Sequence, residues 1–234
     1  DREPLDKLGH SIFLYDVPPS GERVDLLLAG VQVDQLPPAI YDSLGTNDLR
    51  LHWVDPRQSL IVPAAEQSWL VWEAGQAFHP ALVSYLDGAL EEMSQDDGFA
   101  LASYNAPSSL EGLFQEKELA RFSSIDGRVG LKHVEIAEQN DSTLTLLTAW
   151  QQAGPEGPSH IFVHALDEDG RIVAQWDGLG AAWEGWLAGD TLLQVHELTW
   201  SEDRAPLKLV TGLYNPQTGE RWQTESGADY FEIP

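Results

Sequence analysis

The chain has 234 residues and carries 38 acidic side chains against 13 basic ones, a formal net charge of −25. Phosphate groups are bound by clustered Lys and Arg, so this balance argues against a nucleic-acid partner and against anionic membrane surfaces. The chain has no cysteine, which excludes a disulfide scaffold, a thiolate metal site and a cysteine nucleophile. Residues 1–115 contain 18 acidic and 5 basic side chains, and residues 116–234 contain 20 and 8. Because the charge is spread evenly, we expect it to favour solubility rather than to form a docking patch.

Two further features concern the context of the chain. Its longest apolar run, residues 24–33, is interrupted by Asp25 and Gln32 and is shorter than the roughly 18–20 residues of a membrane span. The chain begins at Asp1, and its single methionine is Met93. We therefore expect an excised or processed part of a longer protein, with no membrane insertion of its own.

The first half of the chain mixes strand and helix patterns. A helix is predicted after Pro37-Pro38 and ends at Gly45. A second helix begins at Pro80, and its apolar positions are Leu82, Val83, Leu86 and Leu90. Strands are predicted at residues 11–15, 24–28, 49–54, 59–62, 69–72 and 99–104. These elements predict a small α/β domain over residues 1–108, whose sheet order the sequence does not determine.

The second half of the chain is almost entirely β in pattern. Strands are predicted at residues 129–136, 143–150, 160–166, 171–176, 191–200, 207–214 and 230–233. Asp169-Gly170 lies between two apolar runs and is the strongest hairpin signal in the chain. We expect an antiparallel β-sandwich, jelly-roll-like, over residues 125–234, joined by a linker at 109–124. The predicted fold class is thus α+β with two domains.

The sequence offers little support for metal binding or catalysis. His160 and His164 lie on a predicted strand, where their Cα atoms stand roughly 13 Å apart, too far to share one ion. The run 167–170 resembles the start of a calcium loop, but Arg171 occupies a position that needs an oxygen ligand. No nucleophile elbow, phosphate-binding loop or dinucleotide loop is present. We expect no metal, no cofactor and no catalytic residue, although the 38 carboxylates leave a glycan-cleaving hydrolase as an alternative.

Tryptophan is the one residue type that suggests a ligand. Six of the nine tryptophans lie in the second half, and Trp183 and Trp186 fall in a loop rich in Gly and Ala. Small neighbours can leave the indoles exposed, and sugar rings stack on exposed indoles. The alternative is that the rings supply the sandwich core. The predicted ligand-binding residues are Trp183 and Trp186 as stacking platforms, with Asp177 and Glu184 as polar partners.

An ordered set of motifs in the second half supports a resemblance. These are Trp150-Gln151, the hairpin at residues 160–178, the WLAGD turn at 186–190 and the GLYNPQTGER run at 212–221. The set resembles the C-terminal region of bacterial membrane glycosyltransferases of the dolichyl-phosphate-mannose protein mannosyltransferase-like class. Residues 49–63 resemble the segment that precedes this region more weakly. The chain departs from the pattern at Asn215, where Asp is usual, and in the loop around Trp183.

The resemblance implies a noncatalytic, extracytoplasmic accessory region of a bacterial membrane protein. The catalytic carboxylate and the lipid-linked donor site would then lie in a membrane-embedded part of the parent protein. The implied partners are a glycan or a glycosylation acceptor. A protein–protein interaction module without sugar affinity is the alternative, and a large exposed apolar patch would favour it.

Overall fold

The computed structural model describes residues 6–8, 12–14, 18–65, 67–96, 98–105, 110, 118–125, 127–155, 157–201 and 206–234. Within these residues the fold is mostly β and sandwich-like, which confirms the predicted fold class. The strands of the first half are β1 (Asp6–Leu8), β2 (Ile12–Leu14), β3 (Val24–Ala29), β4 (Leu49–Val54), β5 (Ser59–Val62), β6 (Ser68–Glu73), β7 (Leu90–Asp96) and β8 (Phe99–Tyr104). The strands of the second half are β9 (Ala120–Ser123), β10 (Arg128–Gln139), β11 (Thr143–Gln152), β12 (His160–Leu166), β13 (Ile172–Gly178), β14 (Thr191–Thr199), β15 (Lys208–Tyr214), β16 (Gln223–Thr224) and β17 (Phe231–Ile233).

Two α-helices of seven residues lie in the described part of the chain, α1 (Pro38–Leu44) and α2 (Pro80–Leu86). Each starts with proline, whose fixed φ suits the first helical turn. Gly45 ends α1 in the left-handed region, with φ 66°. No helix among the described residues combines the length and apolar character needed to cross a membrane.

The predicted extension of α2 to Leu90 is wrong. The helix ends at Leu86, and Gly88 takes a φ of 79°, which reverses the chain. Leu90 then starts β7 and pairs with Tyr104 of β8. Leu90 therefore follows the helical spacing of the apolar residues of α2 by coincidence, because a turn separates it from the helix.

Strands of the second half, together with β5 of the first half, form a sandwich of two facing sheets. The larger sheet has the order β16-β9-β10-β11-β14-β5, and the smaller has the order β13-β12-β15-β17. One apolar cluster between them joins Leu146 and Leu198 of the larger sheet to Val163 and Ala174 of the smaller. The hairpin between β12 and β13 turns at Asp169-Gly170 as predicted, with Gly170 at φ 76°.

The first half forms a mixed five-stranded sheet, β4-β3-β6-β8-β7, in which β3 runs parallel to β4 and β6. On one face, Leu26 and Leu28 pack with Ile40 of α1. The opposite face contributes Leu27 and Ala29 to a second buried cluster.

That second cluster also contains Leu147 and Val195 of the larger sandwich sheet, so the two halves share a buried apolar core. Strand β5 adds to this connection because its residues 59–62 pair with residues 191–194 of β14. All four residues of β5 are buried, as expected for a strand covered on both faces. The division into domains at 1–108 and 125–234 stays a prediction. Most of the predicted linker, residues 109 and 111–117, lies outside the described residues.

Candidate functional site

The Gly- and Ala-rich loop that contains three of the four predicted ligand-binding residues lies along strand β4. The backbone amide of Ala182 donates to the carbonyl of Trp53 over 3.0 Å. The backbone amide of Asp55, which follows β4, donates to the carbonyl of Gly180 over 2.7 Å. A Cβ on Gly185 would lie only 2.8 Å from the carbonyl oxygen of Leu51. The small residues of this loop therefore permit close approach of two backbones.

Trp186 is fully buried, so the expectation that small neighbours expose its indole is wrong. Its Nε1 donates to the backbone carbonyl of Asp190 over 3.3 Å, and its ring belongs to the core shared by the two halves. A buried ring offers no free face for a sugar. Trp183 is half-buried and Glu184 is exposed, both in a 3-10 turn at Trp183–Gly185. Sugar binding by Trp183 and Glu184 stays a prediction.

Asp177, the fourth predicted residue, lies elsewhere and lines a small cavity on the outer face of the β13-β12-β15-β17 sheet. The cavity measures about 290 Å³, and Phe162, Asp177, Tyr214, Gly219 and Arg221 line it. We name it the outer pocket. It joins the 160–178 hairpin to the 212–221 run, two of the motifs that carry the family resemblance.

Strand register explains why these side chains meet. His160, Phe162 and His164 alternate along β12, as the sequence predicted, and share its outer face. Asp177 of β13 is the cross-strand partner of Phe162, while Tyr214 of β15 is the partner of His160. Residues paired in this way project from the same face of a sheet. The outer pocket therefore receives side chains from three adjacent strands.

Phe162 is nearly fully buried although it lies on the outer face. On β15 its partner is Gly212, where a Cβ would lie 2.7 Å from the phenyl ring. The guanidinium of Arg221 lies over the ring at 4.4 Å from its centroid, a cation–π geometry. Arg221 is also held by Asp229, whose Oδ2 accepts from Nη1 over 3.1 Å. Glycine at position 212 thus creates the space into which the ring fits.

The turn at residues 215–221 positions Arg221 over the pocket. The Asn215 side-chain oxygen accepts from the amides of Gln217 and Thr218 over 2.8 and 3.3 Å. Gly219, at φ 75°, donates to the carbonyl of Asn215 over 2.7 Å. An Asp carboxylate would accept the same two bonds. The departure at Asn215 from the family pattern is therefore conservative in this structural role.

Charged and titratable groups surround the pocket. Asp177 Oδ1 lies 3.4 Å from Nε2 of His164, and Tyr214 Oη lies 3.3 Å from Nδ1 of His160. Burial raises the pKa of Tyr214, and the Asp177 carboxylate adds to this effect. Burial lowers the pKa of His160, and Asp177 opposes that shift. Coupled groups at a concave surface are typical of binding and catalytic sites.

Sequence reasoning missed Phe162, Tyr214 and Arg221 as candidate site residues because it selected its candidates around the tryptophans of the Gly- and Ala-rich loop. A usable signal was present. The outer face of β12 carries two histidines and a phenylalanine instead of the small polar residues of a solvated face. The run that follows β15 returns over this face, which a strand pattern alone does not indicate.

Two larger grooves lie elsewhere in the described part of the chain. One, of about 880 Å³, lies beside β17 and contains Arg121 and Lys132, both of which form ion pairs with Glu118. The other, of about 710 Å³, lies between α2 and the larger sandwich sheet and is strongly acidic. Among the described residues no group of three or more His, Asp or Glu is arranged to hold a metal ion.

The chain matches no protein-family model and no curated protein. The likeness to the membrane glycosyltransferase region therefore depends on the quoted motifs alone.

Proposed function

We propose that this chain is a noncatalytic carbohydrate-binding accessory region, and that the outer pocket is its binding site. In the context that the motif resemblance implies, it would serve on the extracytoplasmic side of a bacterial membrane glycosyltransferase, where it recognises a glycan or a glycosylated acceptor. The observation that carries the proposal is the convergence of Asp177, Tyr214 and Arg221 on one cavity.

The chemistry of these three side chains suits sugar hydroxyls. An ionised carboxylate only accepts hydrogen bonds, a guanidinium only donates them, and a phenol does both. Sugar hydroxyls also do both, so one ligand can satisfy the whole set. Pockets on which a few polar groups converge are typical of small-molecule sites.

The pocket is less suited to hydrolysis. Glycosidases usually need a pair of carboxylates on either side of the scissile bond. Asp177 is the one carboxylate among the five described residues that line the cavity. A binding role requires no second acid.

Calorimetric titration with neutral oligosaccharides tests the proposal, using mannotriose, maltotriose, chitotriose and lactose as probes. We expect at least one to bind, and we expect Asp177→Asn and Arg221→Gln to weaken it. A hydrogen bond to a charged group contributes about 1.5–3 kcal/mol, which corresponds to roughly a tenfold or greater loss of affinity.

The β12–β13 hairpin offers a matched control. Asp169 and Arg171 form an exposed ion pair of the same residue types, with 2.7 Å between Oδ2 and Nη1. Asp169→Asn and Arg171→Gln should leave sugar binding unchanged. If no probe binds, or if the pocket variants bind as well as the control variants, the proposal is wrong.

A protein–protein interaction module is the second candidate, favoured by an exposed apolar groove of about 350 Å³. Leu207 and Ile136 line it and are 74% and 47% exposed. This function predicts no heat with any saccharide. It also predicts that an apolar fluorescent dye binds the native chain and does not bind the double variant Ile136→Ser, Leu207→Ser.

A further inference from the structure

We infer that the outer pocket takes a single sugar ring at the end of a glycan, held through two neighbouring hydroxyls, and not an interior stretch of a polysaccharide. The inference rests on the proposed function and specifies its ligand.

The cavity is small. Its volume of about 290 Å³ lies at the lower limit of small-molecule pockets, which measure roughly 300–1,000 Å³. Its polar walls, Asp177 on β13 and Tyr214 on β15, stand on strands two spacings apart and are offset by two residues along β12, so their Cα atoms lie roughly 12 Å apart. That gap accommodates one ring with a hydrogen bond at each side. A polysaccharide would need a groove that extends past these walls.

The aromatic surface of the outer pocket is already occupied. Phe162 is only 1% exposed, because the Arg221 guanidinium lies over its ring and the ring fills the space above Gly212. A ligand therefore meets the guanidinium instead of a bare aromatic face. Recognition must then depend on hydroxyl groups and their positions.

The outer pocket places a hydrogen-bond acceptor, Asp177, and a donor, Arg221, in its lining. A hydroxyl that donates to Asp177 and a neighbouring hydroxyl that accepts from Arg221 satisfy both charged groups at once. Arg221 remains fixed by Asp229 while it does so, since a guanidinium carries five N–H donors and the Asp229 bond uses one. Two adjacent free hydroxyls recur on the terminal ring of most glycans.

A competition titration tests the inference. The probes are the methyl glycosides of mannose, glucose, N-acetylglucosamine and galactose, each compared with the oligosaccharide of the panel above that contains the same sugar. We expect the methyl glycoside to displace its oligosaccharide with an affinity within about tenfold. An oligosaccharide whose terminal ring is methylated at two neighbouring hydroxyls should fail to bind.

The outcomes separate the inference from the proposed function. If the oligosaccharide binds more than about tenfold tighter than its methyl glycoside, and Asp177→Asn still weakens it, the single-ring inference is wrong and the function stands. If no saccharide binds, or if binding is insensitive to Asp177→Asn, both are wrong. If Asp177→Asn fails to fold, Tyr214→Phe replaces it in both comparisons, because this substitution removes only a hydroxyl.

Discussion

The imidazole of His52 lies against the carboxylate of Asp25, with 2.7 Å between Nε2 and Oδ1. His52 is completely buried on β4, and its Nδ1 faces the carbonyl oxygen of Gly185 at 2.6 Å. A carbonyl oxygen only accepts, so Nδ1 donates to Gly185, while Nε2 shares a hydrogen bond with the Asp25 carboxyl group. The same Nδ1 lies 3.5 Å from Oδ2 of Asp190. This polar cluster ties the five-stranded sheet to the loop at residues 179–190.

Removal of the imidazole should therefore destabilise the whole chain. His52→Ala removes the partner of the shortest hydrogen bond to the buried Asp25 carboxyl group and leaves Arg50 3.6 Å away, and such a loss at a buried acceptor costs about 1–3 kcal/mol. Guanidinium-induced unfolding measures the change in the free energy of unfolding. His133→Ala is the control, because His133 lies 3.6 Å from the exposed carboxylate of Glu135 and such pairs contribute up to about 1 kcal/mol. Equal losses in the two variants would contradict the role assigned to His52.

Elements of this fold that depend on local sequence could be predicted, whereas those that depend on contacts between distant residues could not. Short apolar runs bounded by turn residues located β4, β5, β8 and β12 at the observed bounds, because strand-forming residues and turn residues are local features of the sequence. The pairing of β5 with β14 brings together residues about 130 positions apart, and no local pattern specifies it.

The candidate site shows the same difference between local and long-range features. The sequence predicted Asp177 as a polar partner of Trp183 and Trp186, whereas the structure places it in the outer pocket, which Arg221 reaches through the turn at 215–221. Trp186 shows the converse error, since its small neighbours pack on β4 of the other half of the chain. A weak signal for the His52 cluster did exist, because Asp25 and His52 are each flanked by apolar residues within their strands.

A second prediction concerns acid lability. His196 is fully buried, which lowers its pKa from 6.5 to about 3. The folded chain therefore keeps this ring neutral while the unfolded chain binds a proton below pH 6.5. The contribution of His196 to the free energy of unfolding is fully present above pH 6.5. It falls by about 1.4 kcal/mol per pH unit as the pH decreases toward 3.

His196→Phe should remove this dependence while it keeps an aromatic ring against Trp176, whose centroid lies 4.5 Å from that of His196. The measurement is the difference in unfolding free energy between the native chain and the variant, followed across this pH range. Taking the difference cancels the titration of the carboxylates. Parallel curves for the two proteins would show that His196 does not titrate in this way.

A third prediction tests the contact between the 179–190 loop and β4. Gly185→Ala places a methyl group 2.8 Å from the carbonyl of Leu51 and 3.1 Å from Cα of His52. Overpacking of this kind costs about 1–3 kcal/mol, and displacement of the loop should expose Trp186 to acrylamide quenching. In the control Gly45→Ala no atom lies within 4 Å of the new Cβ, so we expect only the cost of its left-handed backbone, about 1 kcal/mol, and no change in quenching.

The last prediction tests the geometry of the outer pocket without any ligand. The Asp177 carboxylate raises the pKa values of both Tyr214 and His160, in each case as a smaller influence than burial. Asp177→Asn should therefore lower both pKa values, since it removes a negative charge and leaves the burial of the two rings unchanged. Tyr214 should still titrate above its ordinary pKa, because burial is the larger cause.

NMR titration of the Tyr and His ring signals measures both groups, and Asp169→Asn at the far end of the hairpin should change neither. A pKa shift in only one ring would mean that Asp177 does not face Tyr214 and His160 together, and the outer pocket would lose the shared carboxylate on which its ligand chemistry depends.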